Sequence, residues 1–134
     1  MIERAFMHAH TVLGYQQTGS SYIVNPPVLD TDEDWVVLVH SRSNARVELA
    51  KLGYTLSSKD MEKYKAGKTD PFAMYNSFDA FRHPDTNENL IVVDHPYTFL
   101  QWKTATALAK KLNLTNKEDR IKLFRAIRSG GAVL

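Results

Sequence analysis

The chain has 134 residues and a mass of 15.2 kDa, which predicts one domain over residues 1–134. Hydrophobic residues make up 43% and charged residues 24%, a composition that excludes disordered and fibrous proteins. The absence of cysteine excludes disulfide scaffolds, cysteine zinc sites and thiol catalysis. No segment approaches the ~20 apolar residues of a membrane span, and the N-terminus lacks the apolar stretch of a signal peptide. We therefore expect a cytoplasmic protein with no membrane partner.

The net charge of +2 is unevenly distributed along the chain. Residues 1–97 contain 9 basic and 13 acidic residues, whereas residues 98–134 contain 8 basic and 2 acidic residues. This asymmetry favours a cation site in the first part and an anion-binding surface in the second. Two solvated helix faces are the alternative explanation.

The first segments predict a helix, a turn and a buried strand. Apolar residues in 1–17 have helical spacing, and Gly14 and Gly19 interrupt it. Two prolines at 26 and 27 exclude a continuing helix or a central strand. Residues 35–39 (WVVLV) are continuously apolar and β-branched, which predicts a strand that is buried on both faces.

The remaining segments also predict helices, strands and the turns between them. In chain order they predict a helix over 43–52 that ends at Gly53 and a loop over 54–70 with a helical turn. Hairpin strands over 72–82 and 89–94 and a helix over 97–112 follow. Thr115 and Glu118 have the spacing of a capping box, which predicts a last helix that ends at the glycines 130 and 131. The order α-β-α-β-β-α-α predicts an α+β domain with a small sheet.

A dense run of acidic residues, Asp30-Thr31-Asp32-Glu33-Asp34, precedes the buried strand. Asp32 and Asp34 are two residues apart, so at the mouth of a strand their side chains point to the same side. Two neighbouring carboxylates repel each other unless a cation or a proton intervenes. Mg²⁺ is the usual cation, because it binds a few carboxylates together with phosphate oxygens. The alternative is an exposed acidic turn.

Two other acidic motifs do not fit. An EF-hand loop that starts at Asp30 requires Gly and Glu where the chain has Trp35 and Ser41. In a haloacid dehalogenase phosphatase the Asp-x-Asp pair follows an apolar strand, whereas here the apolar strand follows the pair.

A third motif matches in both order and spacing. Gly19-Ser20, an eleven-residue spacer and Asp32-Glu33-Asp34 leading into WVVLV resemble the nucleotidyltransferase superfamily, whose fold is that of DNA polymerase β. The motif covers residues 19–39, and the later helix and strands are compatible with the rest of the family core. The resemblance implies a minimal nucleotidyltransferase fold, a small mixed β-sheet packed with helices, as in small stand-alone or phage-encoded members.

The resemblance also implies roles for these residues. Gly19 and Ser20 would bind the phosphates, and Asp32 and Asp34 would bind Mg²⁺. The expected activity is Mg²⁺-dependent transfer of a nucleotidyl group from a nucleoside triphosphate, with ATP as the expected nucleotide, to a hydroxyl of RNA, a protein or a small molecule. The alternatives are a catalytically silent binding or regulatory protein on the same fold, and a nucleic-acid-binding module.

The resemblance implies a third catalytic carboxylate on a neighbouring strand. Asp94 is taken as catalytic together with Asp32 and Asp34, and Asp79 has equally suitable apolar flanks. Another alignment places Asn89 at this position, and asparagine cannot act as a base. Asp79 or Asp94 would complete the acidic set, whereas with Asn89 at this position the protein would bind a nucleotide without transferring it.

Three structural expectations follow. Asp32 and Asp34 should lie close together and partly exposed in a cleft, and replacing both with Asn should raise stability slightly by relieving repulsion. Gly19 should have a conformation or a close contact that a β-carbon would spoil. Basic side chains of the last two helices should form stripes that bind RNA or another polyanion, comprising Lys103 and Lys110 on one helix and Lys117, Arg120 and Arg128 on the next.

Overall fold

The computed structural model describes residue 6 and residues 11–26, 32–63 and 78–129. The strands in these ranges are β1 (Val12–Thr18), β2 (Glu33–Val39), β3 (Thr55–Leu56), β4 (Phe78–His83) and β5 (Glu88–Val93). The helices are α1 (Ser20–Ile23), α2 (Arg42–Lys51), α3 (Ser58–Lys63), α4 (Pro96–Lys111) and α5 (Lys117–Arg128). The predicted α+β class is confirmed.

The described strands form one five-stranded sheet in the order β1-β2-β5-β4-β3. β2 and β5 are parallel, and the other neighbouring strands are antiparallel, so the sheet is mixed as expected. The predicted hairpin is β4 and β5, in which Arg82 pairs with Asn89. The parallel pair at the centre aligns Asp34 of β2 with Asn89 of β5.

Helices cover both faces of the sheet. One face packs against α1, α4 and α5 through a core that includes Ile23, Ile91, Trp102 and Phe124. Residues of the other face pack against α2, whose buried residues are Ala45 and Leu49. The continuously apolar β2 contributes to both cores, because side chains of a strand alternate between the two faces.

The helix predicted over residues 1–17 is wrong for its second part. Val12–Thr18 is a strand that pairs with β2, although Phe6 is helical and buried. Pairing with a buried neighbour satisfies the backbone polar groups of β1 and outweighs a helical spacing of its few apolar residues. Residues 1–5 and 7–10 lie outside the described residues.

The other differences are local. The segment 54–70, predicted as a loop with a helical turn, contains α3 as that turn and also the short strand β3. Residues 64–77, including the start of the predicted strand 72–82, lie outside the described residues. The last helix is capped by Asn116 and not by Thr115, because the Asn116 side chain accepts hydrogen bonds from the backbone of residues 118 and 119. Among the described helices, none is long and apolar enough to cross a membrane.

Candidate functional site

Four polar side chains form a row across four strands of the sheet. Thr18 of β1 pairs with Asp34 of β2, Asp34 pairs with Asn89 of β5, and Asn89 pairs with Arg82 of β4. Residues paired in register point to the same face of a sheet. This face is the one that α4 and α5 cover, and there Thr18 shares a 2.7 Å hydrogen bond with Thr106 of α4.

The row lines a cleft between the sheet and α5, with a volume of about 200 Å³. Its polar lining also includes Gly19, Ser20, Asp32, Asp60, Lys117 and Arg120. Its apolar lining consists of Ile23, Ile91, Trp102, Ile121 and Phe124. The cleft thus combines three carboxylates, three basic side chains and an apolar wall, a combination typical of a site for a polar ligand with an apolar part.

Asn89 joins the two carboxylates. Its Nδ2 donates hydrogen bonds to Asp34 Oδ1 at 2.9 Å and to Asp32 Oδ2 at 3.1 Å. Both aspartates are partly exposed, so the predicted close pair in a cleft is confirmed. Asn89 itself is 8% exposed, and its Oδ1 is buried with no hydrogen-bond partner among the described residues.

Arg82 places a positive charge beside the acidic pair. Its guanidinium contacts Asp32 Oδ2 at 3.1 Å and Asp60 Oδ2 at 3.3 Å. Burial alone would lower the pKa of Arg82, but the carboxylates of Asp60 and Asp32 outweigh burial and raise it, so the group stays charged. Arg82 therefore offsets part of the negative charge of Asp32 and Asp60. Replacing Asp32 and Asp34 with Asn weakens the bonds that these carboxylates accept, and we expect stability to fall where the sequence predicted a rise.

Gly19 confirms the predicted close contact. It follows β1 with a φ of +76°, in the region that glycine favours. A β-carbon at this position would lie 2.0 Å from Asp34 Oδ2. The backbone at Gly19 thus packs directly against one carboxylate of the pair, and Ser20 begins α1 beside it.

The structure does not bring the two other candidate acids into the cleft. Asp79 points to the opposite face of the sheet, where it is 1% exposed and accepts hydrogen bonds from Arg46 at 2.8 and 2.9 Å. Asp94 follows the last residue of β5, whereas Asn89 is near its start, and Asp94 pairs with Arg42 at 3.2 Å. Of the three alternatives for the third position, the structure places Asn89 beside Asp32 and Asp34.

The donor set available to a metal ion is therefore two carboxylates and an amide. Across the described ranges, no three His, Asp or Glu side chains cluster as a metal-binding group. In this structure the Nδ2 of Asn89 faces Asp32 and Asp34, and its buried Oδ1 would become the third oxygen only after the amide turns. Carboxylate and amide oxygens are suitable ligands for a hard divalent cation, so these residues fit Mg²⁺.

Sequence reasoning missed two charged residues of the cleft, Arg82 and Asp60. The signal for Arg82 was present, because the predicted turn 83–88 makes Arg82 and Asn89 its flanking residues, and flanking residues of a hairpin face each other. Asp60 lies on α3, in a segment predicted as a loop, and its Oδ2 accepts a 3.0 Å hydrogen bond from Ser57. No local pattern pointed to it.

The basic residues predicted to form one stripe on each of the last two helices do not share one surface. Lys103 and Lys110 line a second cavity with Lys111, and Lys110 lies 3.8 Å from the ring centroid of Tyr22. Lys117 and Arg120 line the cleft instead.

The stripe predicted to include Arg128 is wrong at that residue. Arg128 is fully buried, its Nη1 donates to Gln101 Oε1 at 2.7 Å, and its guanidinium lies over the ring of Trp102. An arginine covered in this way contributes to packing and is closed to a polyanion.

The sequence matches no protein-family model and no curated protein. Among solved structures, the chain is similar to the conserved protein GrpB from Enterococcus faecalis, which has a nucleotidyltransferase-like fold. The TM-score is 0.52 at 14% sequence identity, and the match covers 93% of this chain and 82% of GrpB. The chain therefore has a nucleotidyltransferase-like fold.

Proposed function

We propose that the cleft binds a nucleoside triphosphate together with a divalent cation, and that the protein binds this nucleotide without transferring it. Gly19 and Ser20 would contact the phosphates, and Asp32 and Asp34 would hold Mg²⁺. Mg²⁺ would neutralise phosphate charge there. ATP is the nucleotide we propose to test first.

The charge arrangement of the cleft supports binding of a metal–phosphate ligand. Asp32 and Asp34 supply negative charge on the sheet, and Lys117 and Arg120 supply positive charge from α5. A nucleotide complexed with Mg²⁺ carries both kinds of group, because the cation attracts carboxylates and the phosphates attract basic side chains. The apolar side chains Ile121 and Phe124 line the same cleft and suit a base or sugar.

Asn89 is the observation that favours binding without transfer. It stands on β5 beside both carboxylates, where a carboxylate would complete an acidic triad. A neutral amide cannot accept a proton from an attacking hydroxyl. Nucleotidyl transfer needs that proton removed, so the cleft lacks the base at the position where the fold would supply it.

A second candidate is nucleotidyl transfer with Asp60 as the third carboxylate. Asp60 lines the same cleft and is 8% exposed, and Arg82 holds it next to Asp32. In this alternative Asp60 would accept the proton of an acceptor hydroxyl on RNA, a protein or a small molecule. Asp60 would first have to release Arg82.

Titration calorimetry with ATP and Mg²⁺ tests the binding proposal. We expect saturable binding at one site that is lost without Mg²⁺ and lost in the double variant Asp32→Asn, Asp34→Asn. Asp94→Asn is the control, because it makes the same kind of substitution, at one carboxylate, at the other end of β5 and should leave the affinity unchanged. Binding that is equal in the double variant and the wild type would refute the proposed site.

Incubation with ATP labelled at the α-phosphate, with RNA and protein acceptors, separates the two candidates. Binding without transfer predicts no labelled acceptor with the wild type. Labelled acceptor that disappears in Asp60→Asn would establish the second candidate and refute the silent one. Circular dichroism of each variant checks whether the variant is folded.

A further inference from the structure

We infer that Asn89 makes the cleft a site for a single divalent cation and that its carbonyl oxygen is the third ligand. This inference rests on the cation half of the proposed function. It assigns to Asn89 a metal-binding role that depends on turning its side-chain amide.

The amide of Asn89 has its nitrogen facing the acids and its oxygen without a partner. Nδ2 donates to both Asp32 and Asp34, while Oδ1 is buried and has no hydrogen-bond partner in the described part of the chain. A buried carbonyl oxygen without a donor is unfavourable, since it has lost water and gained no replacement. The observed orientation therefore satisfies the two carboxylates and leaves the amide half satisfied.

Rotation of the amide by half a turn exchanges the two atoms. Oδ1 then faces Asp32 and Asp34 from the position that Nδ2 occupies, and three oxygens converge on one point. Without a cation this orientation is repulsive, because an amide oxygen would face two carboxylates. With a divalent cation between them all three groups become ligands, and the ion–ligand bonds offset the cost of moving Nδ2 into the buried position that Oδ1 leaves.

Charge limits the site to one ion. Two carboxylates and a neutral amide carry two negative charges, which one divalent cation balances. Arg82 reinforces this limit, since its guanidinium already lies 3.1 Å from Asp32 Oδ2. On cation binding Arg82 can release Asp32 and keep its 3.3 Å contact with Asp60. An aspartate at position 89 would add a third negative charge and attract the ion more strongly.

Mn²⁺ titration of the protein without nucleotide, followed by electron paramagnetic resonance, tests the inference. We expect one bound ion in the wild type, binding weaker by about tenfold or more in Asn89→Leu, and binding tighter by about tenfold or more in Asn89→Asp. The matched control Asn44→Asp makes the same change on α2, which packs on the opposite face of the sheet, and should leave binding unchanged.

The opposite result for Asn89→Leu would overturn the inference. If the amide acts only as a donor that competes with the cation, its removal leaves two repelling carboxylates and Mn²⁺ binds as tightly or more tightly. Two ions in the wild type, or none, would overturn it as well.

A measurement on the wild type avoids any folding defect of the variants. The side-chain amide protons of Asn89 should shift in the NMR spectrum when Mg²⁺ is added, because they lose their two carboxylate acceptors. Unchanged resonances at saturating Mg²⁺ would refute the turn of the amide.

The outcomes also separate this inference from the proposed function. One bound Mn²⁺ with the expected response of both Asn89 variants, but no binding of ATP, would refute the nucleotide proposal and leave the single-ion site intact. Binding of ATP with Mg²⁺, but no effect of Asn89→Leu on the metal, would refute the single-ion site alone.

Discussion

Replacing Gly19 with alanine perturbs the contact that joins the end of β1 to the acidic pair. The added β-carbon would lie 2.0 Å from Oδ2, 2.7 Å from Cγ and 2.8 Å from Cβ of Asp34. Real side chains do not approach so closely, so the Asp34 side chain or the backbone at Gly19 must move. Gly19 also has a φ of +76°, which alanine adopts only with strain.

The expected loss of stability combines these two effects. The backbone at Gly19, with φ +76° and ψ 177°, has a conformation that glycine almost alone adopts and that costs alanine about 1–3 kcal/mol. Displacement of Asp34 weakens the 2.9 Å hydrogen bond from Asn89 Nδ2, a bond to a charged group that contributes about 1.5–3 kcal/mol when buried and less here because Asp34 is partly exposed. We therefore expect Gly19→Ala to lower the free energy of unfolding by about 2–4 kcal/mol. Nucleotide affinity should fall by about 1 kcal/mol or more.

Urea unfolding and ATP titration of Gly19→Ala measure these losses. Gly14→Ala is the matched control, because its β-carbon would meet only the Phe99 ring at 3.6 Å, an ordinary contact. In an Asp34→Gly background the clash is absent, so Gly19→Ala should cost only its backbone strain there. A loss below about 0.5 kcal/mol, or the same loss in both backgrounds, would refute the contact as its cause.

Three further predictions concern charged side chains. The double variant Asp32→Asn, Asp34→Asn should lose Mg²⁺-dependent ATP binding and about 1 kcal/mol of stability in urea unfolding, and a gain in stability would show that repulsion dominates the pair. Asp79→Asn leaves Arg42 and Arg46 without their buried carboxylate, so it should lower the free energy of unfolding in urea by about 2–3 kcal/mol. The ATP affinity of the folded variant should be unchanged, and a loss of affinity would contradict a purely structural role for Asp79. In filter binding, the logarithm of the RNA affinity should fall by roughly 0.7–0.9 per phosphate contact for each tenfold increase in salt concentration. The double variant Lys110→Glu, Lys111→Glu should abolish RNA binding, and binding unchanged by this variant would exclude the surface that these lysines line.

Local sequence determined much of the fold and, within the site, the acidic pair and Gly19. The apolar run after the acidic residues gave β2 its buried position, because its side chains can pack on both faces of a sheet. Helical spacing of apolar residues predicted α4 and α5 to within a few residues. Alternation along a strand brought Asp32 and Asp34 to one side, and Gly19 was predicted as a position without room for a side chain. Each of these features depends on residues close together in the chain.

Tertiary structure decided what surrounds the acidic pair. Parallel pairing of β2 with β5 selected Asn89 over Asp79 and Asp94, because register fixes which side chain stands beside Asp34 and alternation turns Asp79 to the other face. Packing of α3 brought Asp60 to Arg82, and packing of α5 brought Lys117 and Arg120 to the cleft. β1 is a strand because its backbone pairs with that of β2. Contacts between distant segments depend on the energy of the whole packed chain, so no local pattern of residues encodes them.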